Sequence, residues 1–160
     1  MPRRYTVTFE NVLIAGPQDL VTIFSPPDQG VRIFRAWLSN TDTTLASSQM
    51  FQVRSRFLRG ILTAGSGGTV PTPRPVDPGD NPAFFTAHVN DTSKTTTNGQ
   101  FYTIDANGFH VYAGYDWEYN SPPILYAGTG SSVAAFVFEL LSTPSGTCHF
   151  SGGLEVEELG

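Results

Sequence analysis

Residues 5–10 read YTVTFE and residues 50–58 read MFQVRSRFL. In both stretches apolar and polar side chains alternate with a period of two. This is the pattern of a β-strand that buries one face and exposes the other. Because no long segment repeats its apolar residues at the helical spacing of 3.6, these two stretches predict an all-β protein.

Outward from these two strands, apolar runs alternate with segments rich in Gly, Pro, Asn and Ser, which favour turns. Trp37 lies in a run that is apolar on both faces, and we predict that it anchors the core. Turns are predicted at 105–108 (DANG) and 128–130 (GTG). Further strands are predicted at 19–25, 31–39, 84–89, 101–104, 109–112, 115–119, 124–126, 132–141 and 147–159.

This spacing of strands and turns is typical of a β-sandwich or jelly roll. We therefore predict one domain over residues 1–160, with about nine or ten antiparallel strands. If the sandwich is a jelly roll, we expect the first and last strands to pair, since they often do in that fold. Only 14% of the residues are charged, against ~25% in an average soluble domain. The 12 Phe, 6 Tyr and 2 Trp residues require a core and argue against disorder.

Charge and cysteine content exclude several classes of protein. The net charge is −5, and an acidic surface does not attract nucleic acid or an anionic membrane. Cys148 is the single cysteine, so an intramolecular disulfide framework is excluded. We find no signal peptide and no apolar run long enough for a membrane span, and we expect synthesis in a cytoplasm without export.

The residues that usually carry chemistry do not form a recognisable motif. The histidines His88, His110 and His149 lack the paired spacing of metal ligands. Asp116 and Glu118 are two residues apart on a predicted strand, where both acids are expected to face solvent. We therefore predict no catalytic residue, no metal site, no cofactor and no enzymatic activity.

Residues 64–83 read AGSGGTVPTPRPVDPGDNPA, with four Gly and five Pro in 20 residues. A stretch of this length without regular structure is uncommon inside a compact domain. The spacing of the prolines favours an extended backbone. Two interpretations are open, an arm that lies on a neighbouring subunit and a mobile surface loop.

A second kind of binding surface is suggested by aromatic side chains. Aromatic rings that are exposed together can stack on the apolar faces of sugars or on a receptor. These residues are the candidates for a carbohydrate- or receptor-binding platform, as in a module of a phage tail or fibre: Tyr112, Tyr115, Trp117 and Tyr119.

Four stretches resemble small β proteins of tailed-phage genomes. They are residues 5–11 (YTVTFEN), 45–58, 65–78 (GSGGTVPTPRPVDP) and 138–160 (FELLSTPSGTCHFSGGLEVEELG). The overall pattern is similar to that of jelly-roll capsid decoration, or cement, proteins, and the resemblance extends over nearly the whole chain.

The resemblance implies a structural virion protein on the outer capsid surface. Such a protein is a homotrimer that binds the major capsid protein, clamps neighbouring capsid subunits and stabilises the head. The Pro-rich stretch and the N-terminus are then the segments expected to reach a capsid or subunit neighbour. The candidate contact residues are Arg3, Arg4, Pro71, Pro73, Arg74 and Pro75.

Overall fold

The structure, a computed structural model, describes residues 2–44, 47–127 and 133–160. In these residues the chain forms 13 strands and no helix, and all the strand pairs are antiparallel. The all-β prediction is confirmed, while the turn predicted at 128–130 lies outside the described residues. The strands are β1 (Arg3–Leu13), β2 (Gln18–Ser25), β3 (Gly30–Asn40), β4 (Met50–Gly60), β5 (Leu62–Thr63), β6 (Arg74–Pro75), β7 (Thr86–Asp91), β8 (Thr96–Thr97), β9 (Gln100–His110), β10 (Tyr115–Glu118), β11 (Ile124–Tyr126), β12 (Val133–Leu140) and β13 (His149–Glu158).

Two sheets form a sandwich. The first sheet has the order β10-β3-β13-β1-β6, with β11 also paired to β3, and the second has the order β7-β2-β12-β4-β9. A small third sheet consists of β5 and β8. The first strand pairs with the last, from Arg3 opposite Glu158 to Leu13 opposite His149, as the sequence predicted.

The core lies between the inner faces of the two sheets and combines aliphatic side chains with aromatic rings that pack on one another. Phe51 of the second sheet packs edge-to-face on Phe150 of the first, with ring centroids 5.4 Å apart. Tyr115 stacks on Phe138 at 5.6 Å. Such pairs add about 0.5–1.5 kcal/mol each beyond their buried area, so the aromatic content of the sequence is used to join the two layers.

The turn predicted at 105–108 is wrong. These residues lie inside β9, where Asp105 is opposite Ser55 and Gly108 is opposite Gln52. A two-residue hairpin of this sequence needs positive φ angles, and neither Asn107 nor Gly108 is among the residues with positive φ. The pairing of β9 with β4 outweighs the local turn preference, because ten of the eleven β9 residues lie in register with β4 along one ladder.

The prediction that Trp37 anchors the core is also wrong. Trp37 is half-buried on the outer face of the first sheet, and the inner face is occupied by Ala36 and Leu38. The indole lies against Gly153, where an added Cβ would be 2.9 Å from the ring. The Arg35 guanidinium stands 5.1 Å from the ring centroid, so Trp37 has a cation on one side and bare backbone beneath it.

The Gly/Pro-rich stretch lies against the chain's own sheets. Thr69 bridges to Val89 at the β7 edge of the second sheet, and β6 then pairs with Tyr5 and Thr6 at the β1 edge of the first sheet. Gly68 allows this close approach, since a Cβ there would be 2.0 Å from the Val89 carbonyl oxygen. We call residues 69–76 the strap, because they join the edges of the two sheets along one side of the sandwich.

Replacing the glycine beneath Trp37 should destabilise the fold. In Gly153→Ala the new Cβ would be 2.5 Å from the Val7 carbonyl oxygen, so backbone atoms must shift. We expect a loss of about 1–3 kcal/mol in the free energy of unfolding, measured by urea denaturation. Gly16→Ala is the matched control, because no atom lies within 4 Å of a Cβ at Gly16. Equal stability of the two variants would contradict this packing.

Candidate interaction surfaces

The structure brings a serine and a histidine together that the sequence analysis did not connect. The Ser48 Oγ is 3.0 Å from the His110 Nε2. The Tyr112 backbone N–H donates to the His110 Nδ1 over 3.3 Å, which places the ring proton on Nε2. His110 therefore donates to Ser48, and a general base for a serine nucleophile would have to accept from it instead.

The cysteine is also not arranged as a nucleophile. Cys148 is fully buried, and burial raises the pKa of its thiol, so the thiol stays neutral. The neighbouring His149 uses its Nδ1 to bind the Asp42 carboxylate at 2.7 Å. The Gln49 side chain donates to the Cys148 sulfur over 3.6 Å, so this sulfur has a structural contact within the core.

The two acids on β10 face solvent, as the alternation predicted. Arg35 donates from Nε and Nη2 to the two oxygens of Asp116, at 2.7 and 2.6 Å. These hydrogen bonds lower the pKa of Asp116, which keeps this carboxylate ionised. Glu118 is exposed on the same face. This face is the outer face of the first sheet.

The three histidines occupy three separate places. His88 contacts Asp91, with Nδ1 and Oδ2 3.0 Å apart, while His110 and His149 have the partners described above. Within residues 2–44, 47–127 and 133–160, no group of three or more His, Cys, Asp and Glu side chains could hold a metal ion. In the same residues no helix could span a membrane.

The structure divides the predicted aromatic platform. Tyr115 is buried against Phe138, and the Tyr119 hydroxyl donates to the Ser55 Oγ over 3.0 Å inside the sandwich. Burial raises the pKa of both phenols. Trp117 and Tyr112 are exposed, and the Tyr112 ring also packs edge-to-face on His110 with ring centroids 4.9 Å apart.

Exposed aromatic rings are nevertheless concentrated on one side of the sandwich. Every aromatic residue among the exposed large hydrophobic residues of the described chain lies between positions 101 and 126. We call the set of Phe101, Tyr102, Trp117 and Tyr126, which belong to the edge strands β9, β10 and β11, the aromatic edge. Phe101, Tyr102 and Tyr126 were not among the residues predicted for the platform, because alternation does not show that a strand lies at an edge.

The candidate contact residues near the N-terminus are mostly engaged within the chain. Arg3 pairs with the buried Glu158 at 2.9 Å. Arg4 pairs with Glu155 at 3.1 Å and lies 4.2 Å from the centroid of the Phe34 ring. In the strap, Pro73 is buried, Pro71 and Pro75 are half-buried and Arg74 is exposed.

A buried ionic cluster lies on the outer face of the second sheet. Glu139 is fully buried and accepts from Arg54 at 2.6 Å and from Lys94 at 2.7 Å. Asp19, also buried, accepts from the Thr95 backbone N–H at 2.7 Å, and its other oxygen has no hydrogen bond. Burial raises the pKa of Asp19 to about 6, with a further contribution from Glu139.

The fold and these surfaces define an antiparallel β-sandwich with one side closed by its own strap and one side lined with aromatic rings. Comparison of the chain with protein-family models, with curated proteins and with solved structures found no match.

Removing the buried charge at Asp19 should stabilise the protein at neutral pH. The pKa of Asp19 is higher in the folded chain, at about 6, than in an unfolded chain, at about 3.9. The ionised carboxylate therefore costs stability above pH ~6, and the cost vanishes as the pH falls below ~4. We expect Asp19→Asn to gain about 1–2 kcal/mol at pH 7.5 and almost nothing at pH 4, in urea titrations at each pH.

Asp28→Asn is the matched control, because Asp28 is exposed in the turn between β2 and β3. It should change stability little at either pH. Two outcomes would contradict the prediction: a loss of stability in Asp19→Asn at pH 7.5, or a difference from the original chain that does not vary with pH. Either would show that neighbouring cations such as Arg56 offset the cost of burying the Asp19 carboxylate.

Proposed function

We propose that the protein is a structural component of a phage virion, a capsid decoration protein that binds the outer capsid surface and clamps neighbouring major capsid subunits. The observation that supports it best is the gathering of exposed aromatic rings on an open strand edge. Aromatic side chains are enriched at protein interfaces. An uncovered strand edge offers unpaired backbone groups to another chain. Such a surface suits a protein that works by assembly.

The strand order supports a jelly roll, which is part of the same proposal. Without β7 and the shortest strands, the sheets have the orders β10-β3-β13-β1 and β2-β12-β4-β9. In chain order, the first of these eight strands pairs with the eighth (β1 with β13), the second with the seventh (β2 with β12), the third with the sixth (β3 with β10) and the fourth with the fifth (β4 with β9). This is a long ribbon rolled into two sheets, the arrangement of two Greek keys that viral capsid domains use.

We propose further that three copies form a homotrimer at symmetric positions of the head. A trimer that matches the symmetry of the lattice makes three small contacts at once, so a weak contact by each copy becomes strong binding by the assembly. Arg74 is exposed and Pro71 and Pro75 are half-buried, so these three stay candidates for contact with the capsid or a neighbouring copy, whereas Pro73 is buried within the chain. This role requires no catalytic residue, cofactor, nucleic acid or membrane.

The alternative function is a carbohydrate- or receptor-binding module of a phage tail or fibre. The exposed rings of Trp117 and Tyr112 support it, because sugar rings stack on exposed aromatic faces. The burial of Tyr115 and the hydrogen bond of Tyr119 inside the sandwich remove two rings from the platform predicted on the sequence. The decoration role is therefore the better supported of the two.

The test is co-sedimentation of the purified chain with expanded capsids of the phage that encodes it, assembled without it. We expect saturable binding at micromolar concentration and a higher temperature of capsid disruption, because the bound protein stabilises the expanded lattice. Capsids and chain that sediment independently would contradict the proposal. Binding on a glycan array that is lost in Trp117→Ser, together with no capsid binding, would favour the alternative.

A further inference from the structure

The two lateral sides of the sandwich differ. On one side the strap joins β7 to β1. On the other side β9 and β10 contact each other, with the rings of Phe109 and Tyr115 6.0 Å apart, and both strands have an open edge. A molecule with two different sides can join head to tail, which is the geometry of a closed ring of identical subunits.

The open edge of β9 is exposed along its length and is interrupted by one bulge, at Ile104. Its eleven residues include no Pro, Lys or Arg, which are the residues that blunt exposed strands. Its single acidic residue, Asp105, has both carboxylate oxygens buried. Phe101 and Tyr102 are 61% and 50% exposed. The edge therefore carries two exposed aromatic rings and almost no charge, and the rest of the described chain does not cover it.

Two arginines stand apart from the others. Six of the eight arginines form ion pairs with acidic residues, whereas Arg59 and Arg74 make none with the described residues. Arg59 is opposite Gln100 of β9, and Arg74 is in the strap. Arg59 on the open side and Arg74 on the strap side are thus the two arginines that have no acidic partner among the described residues.

Each side also carries an acidic residue without such a pair. Glu118 is exposed on β10, and Asp77 is exposed immediately after the strap. Neither forms an ion pair with a described residue of the chain. The open side therefore offers Arg59 and Glu118, and the strap side offers Asp77 and Arg74, so two pairs of opposite charge can form between the two sides.

The positions of these charges along the strands also agree. Arg74 is opposite Thr6, Thr6 is opposite Glu155, and Arg35 lies between Glu155 and Glu118. Arg74 and Glu118 are therefore the two ends of one row across the first sheet.

The second pair of charges lies at one end of the sandwich. The hydrogen bond from the Val76 N–H to the Arg4 carbonyl brings the chain at Asp77 to the end where β2 connects to β3. Arg59 is opposite Ala134, which is opposite Ser25 of β2, so Arg59 is at this end as well.

We propose that the aromatic edge of one copy binds the strap of a second copy, with Arg59 facing Asp77 and Glu118 facing Arg74. The exposed Val70 and Val76 of the strap would cover the aromatic rings. Pairing of two β9 edges with each other would bring the Gln100 end next to the His110 end and would leave Asp77 and Arg74 of the strap outside the contact. The inference rests on the trimer of the proposed function and assigns the surfaces that form it.

The test is the solution mass of charge-reversed variants, measured by size exclusion with light scattering. We expect three times the chain mass of 17.4 kDa for the original protein. Arg74→Glu and Glu118→Arg should each weaken the assembly at least about tenfold, since like charges then meet. The double variant Arg74→Glu/Glu118→Arg restores the opposite charges and should restore the mass.

A second pair of variants tests the apolar part of the contact. Trp117→Ser should dissociate the assembly, whereas Met50→Ser should not, because Met50 is exposed on β4 instead of at an edge. Thermal unfolding of each variant separates loss of contact from loss of fold. A monomer for the original chain at about 100 μM, or an unchanged mass for the folded single reversals and Trp117→Ser, would overturn the inference.

Capsid co-sedimentation of the same preparations separates the two proposals. A folded monomer that still binds capsids overturns this contact and leaves the decoration role in place. A trimer that is broken and restored by these substitutions but does not bind capsids supports this contact and contradicts the decoration role.

Discussion

The fold depends on the insertion of the last two long strands into the centres of the two sheets. β12 lies between β2 and β4, and β13 lies between β1 and β3. About a hundred residues or more separate β1 and β3 from β13, and β2 from β12. Neither sheet is therefore continuous until the C-terminal region is in place. Such non-local pairing requires the chain to lose the entropy of closing a long loop before the contacts between the strands can stabilise it. Gly152 and Gly153 allow this insertion, because β13 passes so close to its two neighbouring strands there that a Cβ atom would clash with their backbone.

The distribution of charge follows from this architecture. The outer face of the first sheet is covered by rows of ion pairs, such as Arg4 with Glu155 and Arg32 with Glu157. The outer face of the second sheet buries Glu139 between Arg54 and Lys94. A planar guanidinium suits these partly desolvated positions better than an ammonium, which accounts for the preference for arginine in a chain with so few charges.

The strap gives the molecule its two unlike sides. A β-sandwich has open edges at both sides, and each is a site for unwanted pairing. Here the Pro-rich stretch closes one side from within the chain, since Pro73 is buried and β6 pairs with β1. The other side ends in β9, β10 and β11 without such a cover. This asymmetry is the basis of the proposed assembly, and it also explains why a stretch of 20 residues with little regular structure persists in a compact domain.

The sequence by itself determined the class of the fold and most of the strands, because the period-two alternation of residues such as Tyr5, Val7 and Phe9 follows directly from strand geometry. It also predicted the pairing of the two terminal strands. Only the tertiary structure decided that residues 105–108 continue a strand and that Trp37 faces outward, since both depend on the register with a distant strand. The binding surfaces were decided in the same way: a ring on an edge strand and a ring in the core have the same local pattern, and only the neighbouring strands determine which of them remains exposed.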